Sequence, residues 1–302
     1  MPVYRQKGNA TLRLKQFDTS KIKVRGGGGS GRGARRAGGI GCGTLVIALI
    51  AAFMFDIDPS QTVALIDGMD TGQSTASQSP QNDLSEQQLC MSGPYARESC
   101  NALQSLNETW EPEFRRAGIP FEQPELVIYP PGPISTNGCG NTSSAAGPFY
   151  CPADYGIYIE TSFFDELARM SGTGGDFARL YVIAHEYGHH IQNLTGLSNQ
   201  VRNLQQRNPQ AANQLTVRME LQADCYAGVW AGKNRNLIER GDLEEGLRAA
   251  SAVGDDTIMR NAGRRINPDN FTHGTSAQRM EALRLGLESA DDTACDAYFD
   301  FR

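Results

Sequence analysis

The sequence predicts a mainly helical α+β domain with a small edge sheet, preceded by one transmembrane helix. Three observations predict it. Residues 38–55 run for eighteen positions without a charge, just enough to cross a bilayer. Two short segments, 125–129 and 155–160, have the apolar run or the alternation of strands. Most of the chain after residue 84 reads as helix.

Taken in order, residues 1–37 hold ten Lys or Arg against one acid, Asp18, and are rich in Gly. That composition predicts a disordered tail. Residues 38–56 are the anchor, with Leu45 to Phe55 as its apolar heart. Arg32, Arg35 and Arg36 precede it and Asp56 and Asp58 follow, so the positive-inside rule puts the tail in the cytoplasm and the rest outside. The expected location is therefore the inner membrane, single-pass, with an extracytoplasmic domain. A cleaved signal peptide is the rival reading, but the lead-in is long and no A-x-A site follows. Residues 57–83, rich in Ser, Thr, Gln, Asp and Gly, are a linker.

Residues 84–302 make the folded domain. Residues 84–114 read as helix, with Leu89, Leu103, Leu106, Trp110 and Phe114 as apolar positions. Residues 125–129 are a strand closed by Pro130 and Pro131, and 135–147 a polar loop. Residues 155–160 alternate as an edge strand would, able to hold an extended peptide by strand addition. A short helix over 163–170 and a Gly-rich turn lead to a long helix capped by Asp176 and running to about Leu194. A Gln/Asn-rich connection over 198–213 follows, then helices over about 213–235, 242–262 and 275–288. The whole chain sums to −6, so residues 38–302 carry −15 against the +9 of the first 37, and Lys233 is the one lysine after Lys23. An acidic body without a basic patch argues against nucleic acid as a partner.

The chain has four histidines, and three of them cluster: His185, His189 and His190. His185-Glu186-Tyr187-Gly188-His189 reads H-E-x-x-H within the long helix. Histidines four apart share a helix face, so two imidazoles can converge on one metal ion. Glu186 stands beside it, placed to take a proton from water. A solvated helix carrying the pattern by chance is the bland alternative. The apolar stretch Phe177 to Ala184 argues instead for a buried helix. Gly188 weakens the helix by about 1 kcal/mol, which suggests close approach of substrate or of another helix.

A catalytic zinc takes three protein ligands and keeps one open position. Glu220 is the candidate third ligand. Asp224, four residues on and on the same face, is the candidate partner for the N–H of a ligand histidine. His273 stands before Thr275 and Ser276, which can cap the following helix. It is a candidate oxyanion stabiliser, with a structural loop role and replacement of Glu220 as ligand left open. His190 points about 100° away from His189. Cys42 lies in the anchor, and six cysteines lie beyond it. Their spacing suggests the pairs Cys90–Cys100 and Cys139–Cys151, leaving Cys225–Cys295, although six cysteines allow fifteen connectivities. Reduced cysteines in a cytosolic protein are the alternative.

Several blocks together resemble one family. They are Gly147-Pro148-Phe149-Tyr150-Cys151-Pro152-Ala153-Asp154, Ala184 to His190, Glu220-Leu221-Gln222-Ala223-Asp224-Cys225 and His273-Gly274-Thr275-Ser276, with the Gly-rich leader and apolar run before them. In this order they resemble the neutral zinc metallopeptidases of bacteria, a zincin-like group. The resemblance implies a membrane-tethered, zinc-dependent peptidase acting on peptide or protein. The expected chemistry is amide hydrolysis by metal-activated water, with His185, His189 and Glu220 as ligands, Glu186 as base and Asp224 orienting His185. The rivals are a different metal-dependent hydrolase and a non-catalytic, metal-stabilised envelope binding protein. A purely structural site would need no base at Glu186.

Overall fold

The computed structural model describes residues 14–27, 84–239 and 241–299. The expected anchor (38–56) and linker (57–83) lie outside these. Among the described residues no helix is long and apolar enough to cross a membrane.

A four-stranded sheet has the order β1-β2-β6-β5. Its strands are β1 (Lys23–Gly26), β2 (Glu125–Tyr129), β5 (Phe149–Cys151) and β6 (Gly156–Glu160). β1, β2 and β6 run parallel, and β5 is antiparallel to β6. The period of two decides which core each side chain joins. Leu126, Ile128, Ile157 and Ile159 enter the main core, whereas Val127, Tyr129 and Tyr158 enter a smaller cluster on the opposite face. A hairpin of β3 (Pro133–Ser135) and β4 (Asn141–Ser143) adds Ile134 to that second cluster.

The main core is helical. α1 (Glu86–Cys90) opens with a capping box at Ser85 and Gln88. α2 (Pro94–Ala117) starts with Pro at its first position and ends at Gly118 with φ +69°, a left-handed cap that glycine adopts without strain. Then come α3 (Phe163–Ser171), α4 (Asp176–Leu194), α5 (Leu197–Arg207), α6 (Ala212–Lys233), α7 (Asp242–Ala252), α8 (Asp255–Asn261) and α9 (Ser276–Ser289). α4 is the central helix, buried along almost its whole length.

Several expectations need correction. The strand at 156–160 is interior, paired on both sides, and among the described residues β1 and β5 are the edges. The loop over 135–147 contains β4, and the polar connection over 198–213 is largely the helix α5, whose one fully buried residue is Val201. The helix expected over 84–114 breaks at 91–93, and that over 242–262 breaks at Gly254.

The largest correction concerns the N-terminus. Phe17, Ile22 and Val24 are buried in the main core, and β1 pairs with β2. Residues 14–27 therefore belong to the domain and are not a disordered tail. β1 precedes the apolar run 38–56 and β2 follows it. One crossing between them would put paired strands on opposite sides of a bilayer. The expected single crossing falls on residues outside the described ones, and the pairing of β1 with β2 sets only that those two strands lie side by side.

Three disulfides form, with the pairing that the spacing suggested. Cys90–Cys100 ties α1 to α2, Cys139–Cys151 ties the hairpin loop to β5, and Cys225–Cys295 ties α6 to the C-terminal segment.

Candidate metal centre

Two helices build the centre, and a glycine sets their distance. A Cβ on Gly188 of α4 would lie 2.8 Å from the Cα of Ala223 on α6. Glycine at 188 lets the α6 backbone come against α4, and only then do His185 and His189 meet Glu220. The reason for a glycine inside the motif is thus helix contact.

His185 Nε2 lies 3.1 Å from one Glu220 oxygen, and His189 Nε2 lies 3.3 Å from the other. The three donor atoms sit within 4.8 Å of one another. A tetrahedral zinc with bonds near 2.05 Å separates its ligand atoms by about 3.3–3.4 Å, so the donor set fits that ion. Both Nδ1 atoms are engaged elsewhere, which leaves each Nε2 for the metal. His185 Nδ1 is 2.8 Å from Asp224 Oδ1. His189 Nδ1 is 2.9 Å from Gln192 Oε1, while Gln192 Nε2 donates to the Met219 carbonyl at 2.7 Å. That second bond fixes the Gln192 amide with its oxygen toward His189. Such outer contacts hold a ligand ring in place and in one tautomer.

Asp224 is fully buried and accepts four hydrogen bonds. Arg279 donates through Nε at 2.8 Å and Nη2 at 2.9 Å, and Tyr181 through its hydroxyl at 2.6 Å, beside His185. Burial alone would raise the Asp224 carboxyl, but Arg279 and His185 outweigh it and hold it at about 2. Burial likewise would lower His185, yet Asp224 and Glu220 overcome this and lift it to about 10. Burial opposes the Glu220 charge as well, and His189 and His185 hold that carboxyl well below its usual range. The pocket is therefore built to favour positive charge between the two imidazoles. Glu186, also buried, is pushed up by burial against the opposing pull of His185 and His189.

His273 sits in the loop before α9. Asp255, the first residue of α8, accepts the backbone N–H groups of Thr272, His273 and Gly274 at 2.7–2.9 Å and lies 3.1 Å from His273 Nδ1. His273 is thereby clamped, with Nε2 the nitrogen not held by Asp255. His185, Glu186, His189, Glu220 and His273 line one cavity of about 990 Å³. β5 also borders it through Phe149 and Tyr150. His190 faces away, its Nδ1 3.0 Å from the Tyr150 hydroxyl and its Nε2 2.7 Å from the Glu122 carbonyl.

Arg279, Asp255, Tyr181 and Gln192 were not picked out by sequence reasoning. One signal for Arg279 exists. It shares the α9 face with Ala282, Leu283 and Gly286, all buried, and a charge inside a buried stripe calls for a buried counter-charge. Nothing comparable marks Asp255.

Three ligand atoms converge at the wall of a cavity with the Glu186 carboxyl beside them, a pattern that three-ligand metal centres with an open position share. The chain belongs to the family described as "Putative neutral zinc metallopeptidase", whose model matches residues 7–298. Zinc is the metal of that family, and the donor set agrees. The chain is 41% identical to the uncharacterized protein YpfJ of Escherichia coli over 271 residues, 89% of this chain and 90% of that one. It is 39% identical to the uncharacterized protein Rv2575 of Mycobacterium tuberculosis over 207 residues, 64% of this chain and 67% of that one. No solved structure matches.

Proposed function

We propose that the protein is a zinc-dependent peptidase that hydrolyses peptide bonds in the cavity beside α4. The observation that carries this reading is the His185, His189 and Glu220 donor set facing a large cavity with Glu186 at its wall. Zinc, when bound there, supplies Lewis acidity that makes water a nucleophile near neutral pH and polarises a carbonyl. Glu186 takes the proton from the attacking water and passes it to the leaving amine. Its upward shift by burial suits a group that must hold that proton between the two steps. His273, its Nδ1 held 3.1 Å from Asp255 Oδ1, turns Nε2 toward the carbonyl oxygen as the group that stabilises the charge developing there. Asp224 and Gln192 keep the ligand imidazoles in register. The free edge of β5 offers backbone groups to an extended substrate.

The domain, with β1 included, works in an extracytoplasmic compartment. Three disulfides in one domain support this, since such bonds persist where thiols are not kept reduced.

The test is Glu186→Gln in the full-length chain. The variant retains zinc at the wild-type stoichiometry and unfolds at the wild-type temperature. Its peptide hydrolysis falls about 10²–10⁴-fold, the usual contribution of a general base. Cleavage at the wild-type rate would remove Glu186 from the mechanism.

A further inference from the structure

We infer that Arg202 binds a carboxylate of the peptide substrate, an inference that rests on the peptidase reading. Ser198, Val201, Arg202 and Gln205 lie on one face of α5, at i, i+3, i+4 and i+7, and all four line the cavity that holds the metal ligands. Arg202 is the only charged residue of the four. Its Nε is buried and has no hydrogen-bond partner. That nitrogen is enclosed, so a substrate carboxylate meets the terminal nitrogens of the half-buried side chain, which lines the cavity. Among the described residues, the other two arginines that line the cavity are committed: Arg169 pairs with Glu166, and Arg279 with Asp224.

The placement fits a substrate contact. Gln205, about one turn from Arg202, donates to Thr216 Oγ1 at 2.9 Å, and Thr216 stands one turn before Glu220. The guanidinium thus belongs to the same cavity wall as the ligand set, on the helix that contacts the one carrying Glu220. An extended peptide of a few residues, at about 3.3 Å each, runs from one part of such a cavity to another. Next to the metal, the cavity presents the carboxyls of Glu186 and Glu220, which repel an anion. Arg202 is where an anionic group of the substrate finds a planar, two-pronged donor. The carboxylate is either an acidic side chain or the C-terminus of the peptide.

The experiment uses the zinc-loaded full-length chain and fluorogenic peptides in matched pairs. One set places Asp or Asn at each position two to four residues either side of the scissile bond. The other ends two to four residues beyond that bond in a free acid or an amide. The wild type favours the acid over its amide by about tenfold in kcat/KM, as a charge-assisted pair allows. Arg202→Gln brings that ratio to about 1, and Arg202→Lys keeps part of it, because a point charge replaces the fork. Loss confined to one set identifies the source of the carboxylate. A wild-type ratio near 1 in every pair, or an Arg202→Gln variant that keeps the preference, overturns the inference and leaves the peptidase reading intact. If no peptide of either charge is cleaved, it is the peptidase reading that fails. Anisotropy with the same pairs then decides the inference: acid-selective binding lost in Arg202→Gln upholds it, and charge-blind or absent binding overturns it.

Discussion

Asp224→Asn tests the buried network directly. The side chain is wholly inaccessible and holds Arg279 through two hydrogen bonds, Tyr181 and His185 through one each. The amide presents an N–H₂ group to a guanidinium that is itself 3% exposed. Breaking such a pair from one side costs about 3–5 kcal/mol, because it strands the other charge. For a domain of this size each kcal/mol lowers Tm by about 2–4 °C, so the variant melts roughly 6–20 °C below the wild type. Loss of the Asp224 contact to His185 also weakens zinc binding, by about 10–100-fold.

The second half of the test separates stability from metal binding. Arg279→Met in the Asp224→Asn background removes the stranded cation. The double variant regains about 1–2 kcal/mol or more over the single variant, yet its zinc affinity stays low, because His185 still lacks its carboxylate. Melting followed by circular dichroism and zinc titration against a competing chelator read the two effects. An Asp224→Asn protein within about 0.5 kcal/mol of wild type, or a double variant less stable than the single, would refute the network as the support of the centre.

Glu220→Ala lowers zinc content far more than His273→Ala, which lowers kcat and leaves the metal in place; equal zinc in Glu220→Ala and wild type removes Glu220 from the ligand set. Replacing Cys225 and Cys295 by Ala costs about 4 kcal/mol, against about 3 for Cys90 and Cys100, since the loops span 70 and 10 residues; denaturant midpoints check the order. Burial lowers His190 to about 4 from its ordinary value near 6.5. The unfolded chain therefore takes up a proton below pH 6.5 that the folded chain refuses until about pH 4, and stability falls as pH drops through that window, by about 2 kcal/mol at pH 5. His190→Gln flattens that slope in urea titrations, and an unchanged slope counts against it. A cysteine placed at the exposed Lys15 reacts with a membrane-impermeant thiol reagent in intact cells, and a reporter fused after Arg302 registers export. Protection of Lys15→Cys with an exported reporter would instead uphold the single crossing.

Helix periodicity alone placed His185, Glu186 and His189 together, because residues four apart on one helix are neighbours whatever surrounds them. The same rule put Glu220 and Asp224 on one face, and loop lengths suggested the three disulfides. Local chemistry also marked β2, where the apolar run meets Pro130, and the start of α4, although Gly175 and not Asp176 is its N-cap. What local chemistry does not contain is which face meets which. Gly188 against Ala223 brings Glu220 to the histidines, and Arg279 reaches Asp224 from α9, 55 residues along the chain. Asp255 reaches His273 from another helix. β1 was misread for the same reason: its basic, Gly-rich surroundings read as tail. Pairing with a strand about a hundred residues away, and burial of Phe17, Ile22 and Val24, make it part of the sheet. Contacts between distant segments have no sequence period, and only the packed chain decides them.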